Sequence, residues 1–141
     1  MDYTLELIVV PVSDVDRAKA FYVDKVGFDL LVDHSAGDDF RVVQLVPPGS
    51  ACAIAIGTGL GHDMKPGSIK GLHLCVSDIE GARAELVERG VEVSEPFHFG
   101  ANGKQPGIDP ARQDYATFVS FDDPDGNGWL VQHVARTKSQ A

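Results

Sequence analysis

His73 stands two residues before Cys75 in the apolar run Gly71-Leu72-His73-Leu74-Cys75-Val76. An imidazole exchanges protons near neutral pH, so it can serve as general acid or base toward a bound molecule. The run reads as a strand, whose side chains alternate between faces, and His73 and Cys75 therefore share one face. Two strand steps leave thiol and ring too far apart for activation, and no Ser-His-acid arrangement can be assembled. His73 is the one residue to which a catalytic role can be assigned. With no second titratable group to set beside it, it fits a hydrogen-bonded scaffold histidine better than a catalytic one. The remaining histidines, His34, His62, His98 and His133, lack the close spacing of metal ligands.

The elements that must position these residues are set out by a duplication. Val12-Ser13-Asp14-Val15-Asp16-Arg17-Ala18-Lys19-Ala20 is matched in register by Val76-Ser77-Asp78-Ile79-Glu80-Gly81-Ala82-Arg83-Ala84. Each copy follows a short apolar run, Leu5 to Val10 and Gly71 to Cys75. A long repeat present only twice predicts a domain of two similar halves rather than a solenoid. In each half the Ser-x-x-acid pattern, Ser13 with Asp16 and Ser77 with Glu80, is the capping box that opens a helix. Val15, Ala18, Tyr22 and Val26 recur at helical spacing until Gly27, and Ile79, Ala82 and Leu86 do so until Gly90. Strands are expected at Phe28–Val32, Phe40–Val46 and Cys52–Ile56 in the first half. In the second they are expected at Val91–Ser94, Ala116–Phe121 and Gly128–Val134. The Gly-rich stretch 58–69 links the halves, and the loop Phe99–Asp114 interrupts the second. The polar tail from Arg136 is expected to fray.

The chain of 141 residues is long enough for one domain with a sizeable core and too short for two. A net charge of −9 with no basic cluster argues against nucleic acid and against anionic membrane as partners. No apolar run approaches a membrane span, and the N-terminus lacks the features of a signal peptide. A cytoplasmic protein is expected, with Cys52 and Cys75 as buried free thiols.

Two β-α-β-β-β modules, the Val-Ser-Asp helix start, Gly27-Phe28 after the first helix and Asp123-Pro124-Asp125-Gly126-Asn127 before the last strand form a specific combination. Together they resemble the vicinal oxygen chelate superfamily, also called the glyoxalase/bleomycin-resistance/dioxygenase superfamily, from about Leu5 to Gln132. The resemblance implies an α+β fold in which two βαβββ modules curl a mixed sheet around a central cavity. It divides the single domain 1–141 into module 1 (about 3–57), a linker (58–69) and module 2 (about 70–135). By analogy with relatives that pair two chains edge to edge, it implies a homodimer.

The resemblance also says where metal ligands should stand: five residues before each Val-Ser-Asp start and three after the Asn of the Asp-Gly-Asn turn. Those positions hold Leu7, Gly71 and Leu130, and no Glu occurs between Glu6 and Glu80. Hydrocarbon offers no lone pair to a divalent ion. The expectation is therefore no cofactor, with a displaced divalent metal left open. The implied cavity is lined by Leu7, Val9, Ala53 or Ile54, Gly71, Phe118 and Leu130. His73, Ser120 and Gln132 lie on its faces, Gln44 does so in one of two registers, and His98 could sit at the rim. Trp129, alternating with Leu130, should be core. Such a lining suits an apolar or aromatic small molecule, held by burial and oriented by sparse hydrogen bonds. The first expectation is metal-independent sequestration or resistance. The alternative is a glyoxalase-like lyase or isomerase using His73 as base or a displaced metal.

Overall fold

Both Val-Ser-Asp sequences start a helix, and in both the aspartate, not the expected serine, is the cap. In the computed structural model, which describes residues 1–135, Asp14 accepts from the Arg17 N–H at 3.1 Å and Asp78 from the Gly81 N–H at 2.9 Å. A carboxylate satisfies an otherwise unpaired N–H and also meets the positive end of the helix dipole, which a hydroxyl does not. Asp16 and Glu80, the other members of the expected boxes, pair with Arg41 and Arg112. The tail from Arg136 lies outside the described residues.

The described chain forms two compact units. The first comprises Met1–Ile69 together with the distant turn Asp123–Asn127. In it run β1 (Leu7–Val9), α1 (Val15–Ala20), a π-helical turn (Phe21–Val26), β2 (Asp29–Ser35), β3 (Arg41–Val46) and β4 (Ala53–Thr58). The sheet order is β1-β4-β3-β2, with β1 parallel to β4 and the other pairs antiparallel. Tyr22 of the helical segment and Val43, Leu45 and Ile56 of the sheet are fully buried, and Gly27 ends that segment at φ 90°, where a side chain would be strained. Arg41 on β3 bonds Asp33 of β2 with two nitrogens, at 3.0 and 2.9 Å, and Lys19 of α1 adds a third bond at 2.8 Å. The Arg41 guanidinium, and after it Lys19, hold the Asp33 carboxyl well below the usual carboxylate range.

The turn Asp123–Asn127 is lodged in this first unit by a polar knot. Asp123 is nearly inaccessible and accepts from Tyr22 Oη at 2.7 Å, from Asn127 Nδ2 at 2.8 Å and from the N–H groups of Asp125 and Asn127. Asn127 Nδ2 also donates to the Pro11 carbonyl at 2.8 Å, and its Oδ1 accepts from the Ile69 N–H at 3.1 Å. Ser13 is turned toward Asp125, donating from Oγ at 2.6 Å and from its N–H at 3.0 Å. A Cβ on Gly67 would run into the Asp125 carbonyl, so the chain passes the turn only because that residue is glycine.

The second unit comprises Lys70–Asp122 and the described chain from Gly128 onward. It contains β5 (Leu72–Val76), α2 (Ile79–Glu88), β6 (Phe97–Gly100), β7 (Gly103–Pro106), β8 (Thr117–Asp122) and β9 (Gly128–His133). The order β5-β9-β8-β6-β7, with β5 parallel to β9, repeats the topology of the first sheet and adds β7 at the edge. The fold is α+β with two βαβββ modules. Two expectations are corrected. Val91–Ser94 is not a strand: Ser94 joins β8 at one residue, through its N–H to the Ser120 carbonyl and its Oγ to the Ser120 N–H, and Pro96 then removes a donor. The region expected as an irregular loop instead begins with a β-hairpin, Phe97 to Pro106, turning at Ala101-Asn102, with Gly103 at φ 96° opening the return strand.

Candidate ligand-binding face

Each sheet turns one face to its helix and leaves the other open. In the second unit Trp129, Val131, Val119 and Phe121 are buried on the helix side, and Trp129 stacks on Phe121 at a centroid distance of 6.2 Å. Alternation puts their neighbours on the open face, and the strand register aligns those in rows: His73 beside Leu130 beside Ser120, then Cys75 beside Gln132 beside Phe118 beside Phe97.

Phe118 is the centre of this face. Its ring stacks on Phe97 at 5.6 Å and meets Phe99 and His73 edge-on at 5.7 and 6.3 Å. Phe118 and Phe97 are each only 8% exposed, whereas Phe99 is 60% exposed. The Lys104 ammonium lies 4.2 Å from the centroid of Phe97, a favourable cation–π contact. The result is an aromatic shelf with a cation at one end and an imidazole at the other.

The imidazole is held by a short chain of hydrogen bonds. His73 Nδ1 lies 3.2 Å from Gln132 Oε1, and Gln132 Nε2 donates to the Tyr115 carbonyl at 3.3 Å. Tyr115 sits at φ 66°, unusual for a residue with a Cβ, and its N–H donates to the His133 carbonyl.

In the first unit the open face carries Leu7, Val9, Ala53, Ala55, Gln44 and Val32, with Val9, Ala55, Gln44 and Val32 forming one row. Gln44 thus takes the open-facing one of its two registers. Ala53 shares the face of Leu7 and Ile54 takes the opposite one, and both are buried. The repeat aligns Val9 with His73, so the first module has hydrocarbon where the second has a base.

Leu7, Val9 and Gln44 therefore stand on the first open face, and His73, Phe118, Ser120, Leu130 and Gln132 on the second. His98 is turned away between Phe97 and Phe99, and its Nδ1 lies 2.8 Å from the Gly107 carbonyl, so it fastens the hairpin to the chain that follows. Cys75, expected buried, is exposed on the open face, and both thiols are free. The residues that sequence reasoning left out of the site are Phe97, Phe99, Lys104 and Tyr115. The first three were marked by a Phe-x-Phe alternation followed by Asn-Gly, a hairpin signal that passed for loop.

The metal positions that the family resemblance implies do not fit a metal. Leu7 and Leu130 present hydrocarbon and Gly71, at φ 79° before β5, has no side chain. Among the described residues no group of three His, Cys, Asp or Glu side chains could hold an ion together.

The model of the Glyoxalase/Bleomycin resistance protein/Dioxygenase superfamily matches residues 4–131. The chain belongs to this superfamily. Among solved superfamily structures, TnmS3, an antibiotic-binding protein from Streptomyces sp. CB03234, is 35% identical, with a TM-score of 0.72 over 94% of this chain and 96% of that one. A superfamily member from Sphaerobacter thermophilus DSM 20745 is 30% identical, with a TM-score of 0.73 over 94% and 98%. The uncharacterized protein YetH of Bacillus subtilis (strain 168) is 29% identical over 89% of this chain and 93% of its own. No helix among the described residues is long and apolar enough to cross a membrane.

Proposed function

We propose that this superfamily member binds an apolar or aromatic small molecule without metal and without turnover, in the manner of a sequestration or resistance protein. The aromatic shelf of Phe97, Phe99 and Phe118, laid on a sheet face with His73, Gln132 and Lys104 at its margins, carries the reading. Flat apolar surface supplies affinity, and a few placed polar groups supply orientation. The similarity to TnmS3, an antibiotic-binding protein, supports a small-molecule ligand. On this reading the protein acts in the cytoplasm, and the first unit's own open face, with Leu7, Val9 and the polar Gln44, is a second ligand-binding surface.

The test pairs elemental analysis of protein purified without added metal with titration of a planar aromatic probe, before and after chelation. The expected result is metal far below stoichiometric and a binding curve that chelator leaves unchanged. Stoichiometric Zn, Fe, Mn or Ni, with binding lost on chelation, overturns the reading.

One observation favours a second reading. His73 Nε2 has no hydrogen-bond partner among the described residues and stands on an exposed ring, as a general base requires. A glyoxalase-like lyase or isomerase using His73 would lose turnover in His73→Ala while keeping ligand affinity. Under the binding reading that variant has no turnover to lose.

A further inference from the structure

We infer that Gln132 and the Tyr115 carbonyl lock His73 into the tautomer with its proton on Nδ1, so that Nε2 is a fixed hydrogen-bond acceptor and the face selects aromatic ligands bearing an O–H or N–H donor. The ligand half rests on the binding role proposed above. The tautomer half does not.

The deduction starts at Tyr115. A backbone carbonyl only accepts, so the Gln132 atom facing it at 3.3 Å must be the amide nitrogen. The other end of the same amide, facing His73 Nδ1 at 3.2 Å, is then its oxygen, which also only accepts. Two acceptors cannot share a hydrogen bond, so Nδ1 must carry the proton. A neutral ring with its proton on Nδ1 has its lone pair on Nε2, with no partner among the described residues.

The chain of cause is anchored in backbone. Tyr115 is held at φ 66° by its own N–H bond to the His133 carbonyl, 2.8 Å long, and its carbonyl is thereby aimed at Gln132. Gln132 and His133 are neighbours on β9, so the residue that orients Tyr115 and the one that reads its orientation move together. The edge-on contact with Phe118 at 6.3 Å fixes the plane of the ring beside the aromatic shelf. A planar ligand lying on the exposed Phe99 ring, along the edge of Phe118, would bring its rim to Nε2. A rim hydroxyl donates there. A rim carbonyl or ether oxygen meets a lone pair and is disfavoured. Gln132 is thus a positioning residue that sets specificity through His73 without needing to touch the ligand.

The test uses the full chain, labelled with nitrogen-15, at a pH where the ring is neutral. Long-range proton–nitrogen spectra of the imidazoles should show the His73 proton on Nδ1, against the ordinary preference of a free histidine side chain for Nε2. Gln132→Leu should return it to Nε2, with the melting curve serving as the control for folding. A wild-type ring protonated on Nε2, or mixed, overturns the proposal without reference to any ligand. If Gln132→Leu fails to fold, the wild-type spectrum alone decides.

The ligand half is read with 2-naphthol and 2-methoxynaphthalene, which differ only in the donor. The naphthol should bind wild type roughly 3- to 10-fold more tightly, the range of one neutral hydrogen bond, and the difference should vanish in Gln132→Leu. Equal binding of the two to wild type overturns the selectivity and leaves the binding role standing. Binding of neither overturns the binding role itself, and the selectivity with it.

Discussion

Phe99 keeps most of its ring in water on a narrow strand, an arrangement that folding alone does not reward. Its contacts with Phe97 and Phe118 are edge-on pairs of the kind worth about 1 kcal/mol. Phe99→Ala should therefore lower unfolding free energy by only about 1 kcal/mol, while weakening binding of an aromatic probe roughly tenfold, as loss of an aromatic anchor does. Urea unfolding and a fluorescence titration measure the two effects, and unchanged affinity would remove the hairpin from the site. Tyr22 is the opposite case. Its ring is buried against Phe28 and its hydroxyl donates to Asp123 at 2.7 Å. Tyr22→Phe leaves a buried carboxylate short of a donor and should cost about 1–3 kcal/mol, seen as a lower urea midpoint with an unchanged slope. A single residue shows what sequence can and cannot supply. His73 could be placed on its face from period-two alternation, yet its partner Gln132 lies on a different strand and only register joins them. Tyr115, whose carbonyl completes the arrangement, carries no sequence signal at all, because the role belongs to its backbone.

The elements followed the written pattern where local chemistry was decisive and departed from it where a distant partner intervened. Both helices, their closing glycines and most strands were legible from periodicity and turn residues. The caps were not: Asp14 and Asp78 cap the helices, and Ser13 was claimed by Asp125, far along the chain. The hairpin was not, since glycine and asparagine in 100–107 read as irregular chain while they were making a tight turn. Within the first unit the bond set of Asp33, Arg41, Lys19 and Asp16 ties β2 and β3 to α1. Because folding depresses the Asp33 carboxyl, the stability it adds is fully present above the ordinary aspartate range near about 4 and is lost as pH falls through its folded value. The stability difference between wild type and Asp33→Asn should therefore be largest at neutral pH and shrink as pH is lowered from about 5 toward 2. It should also shrink in high salt, because the carboxylate is exposed. Urea midpoints across that range check both, and a gap that widens in acid would contradict the assignment.

At the scale of the whole molecule, the family and the α+β architecture were visible in the duplicated helix start and the Asp-Pro-Asp-Gly-Asn turn. The meaning of that turn was not. In the sequence it belongs to the second module, between β8 and β9, but its side chains satisfy Tyr22, Pro11 and Ile69 of the first. The first module is therefore incomplete without a piece of its sibling. A protease cut within 58–69 should leave both fragments eluting together from a sizing column under native conditions and separating only in denaturant; early separation would mean the turn contributes little. Duplication is usually pictured as yielding a spare that can be discarded or set free. Here the later copy carries the keystone of the earlier, so any rearrangement of the gene that parted them would leave the earlier copy with an open socket, and the pair is bound to be inherited as one.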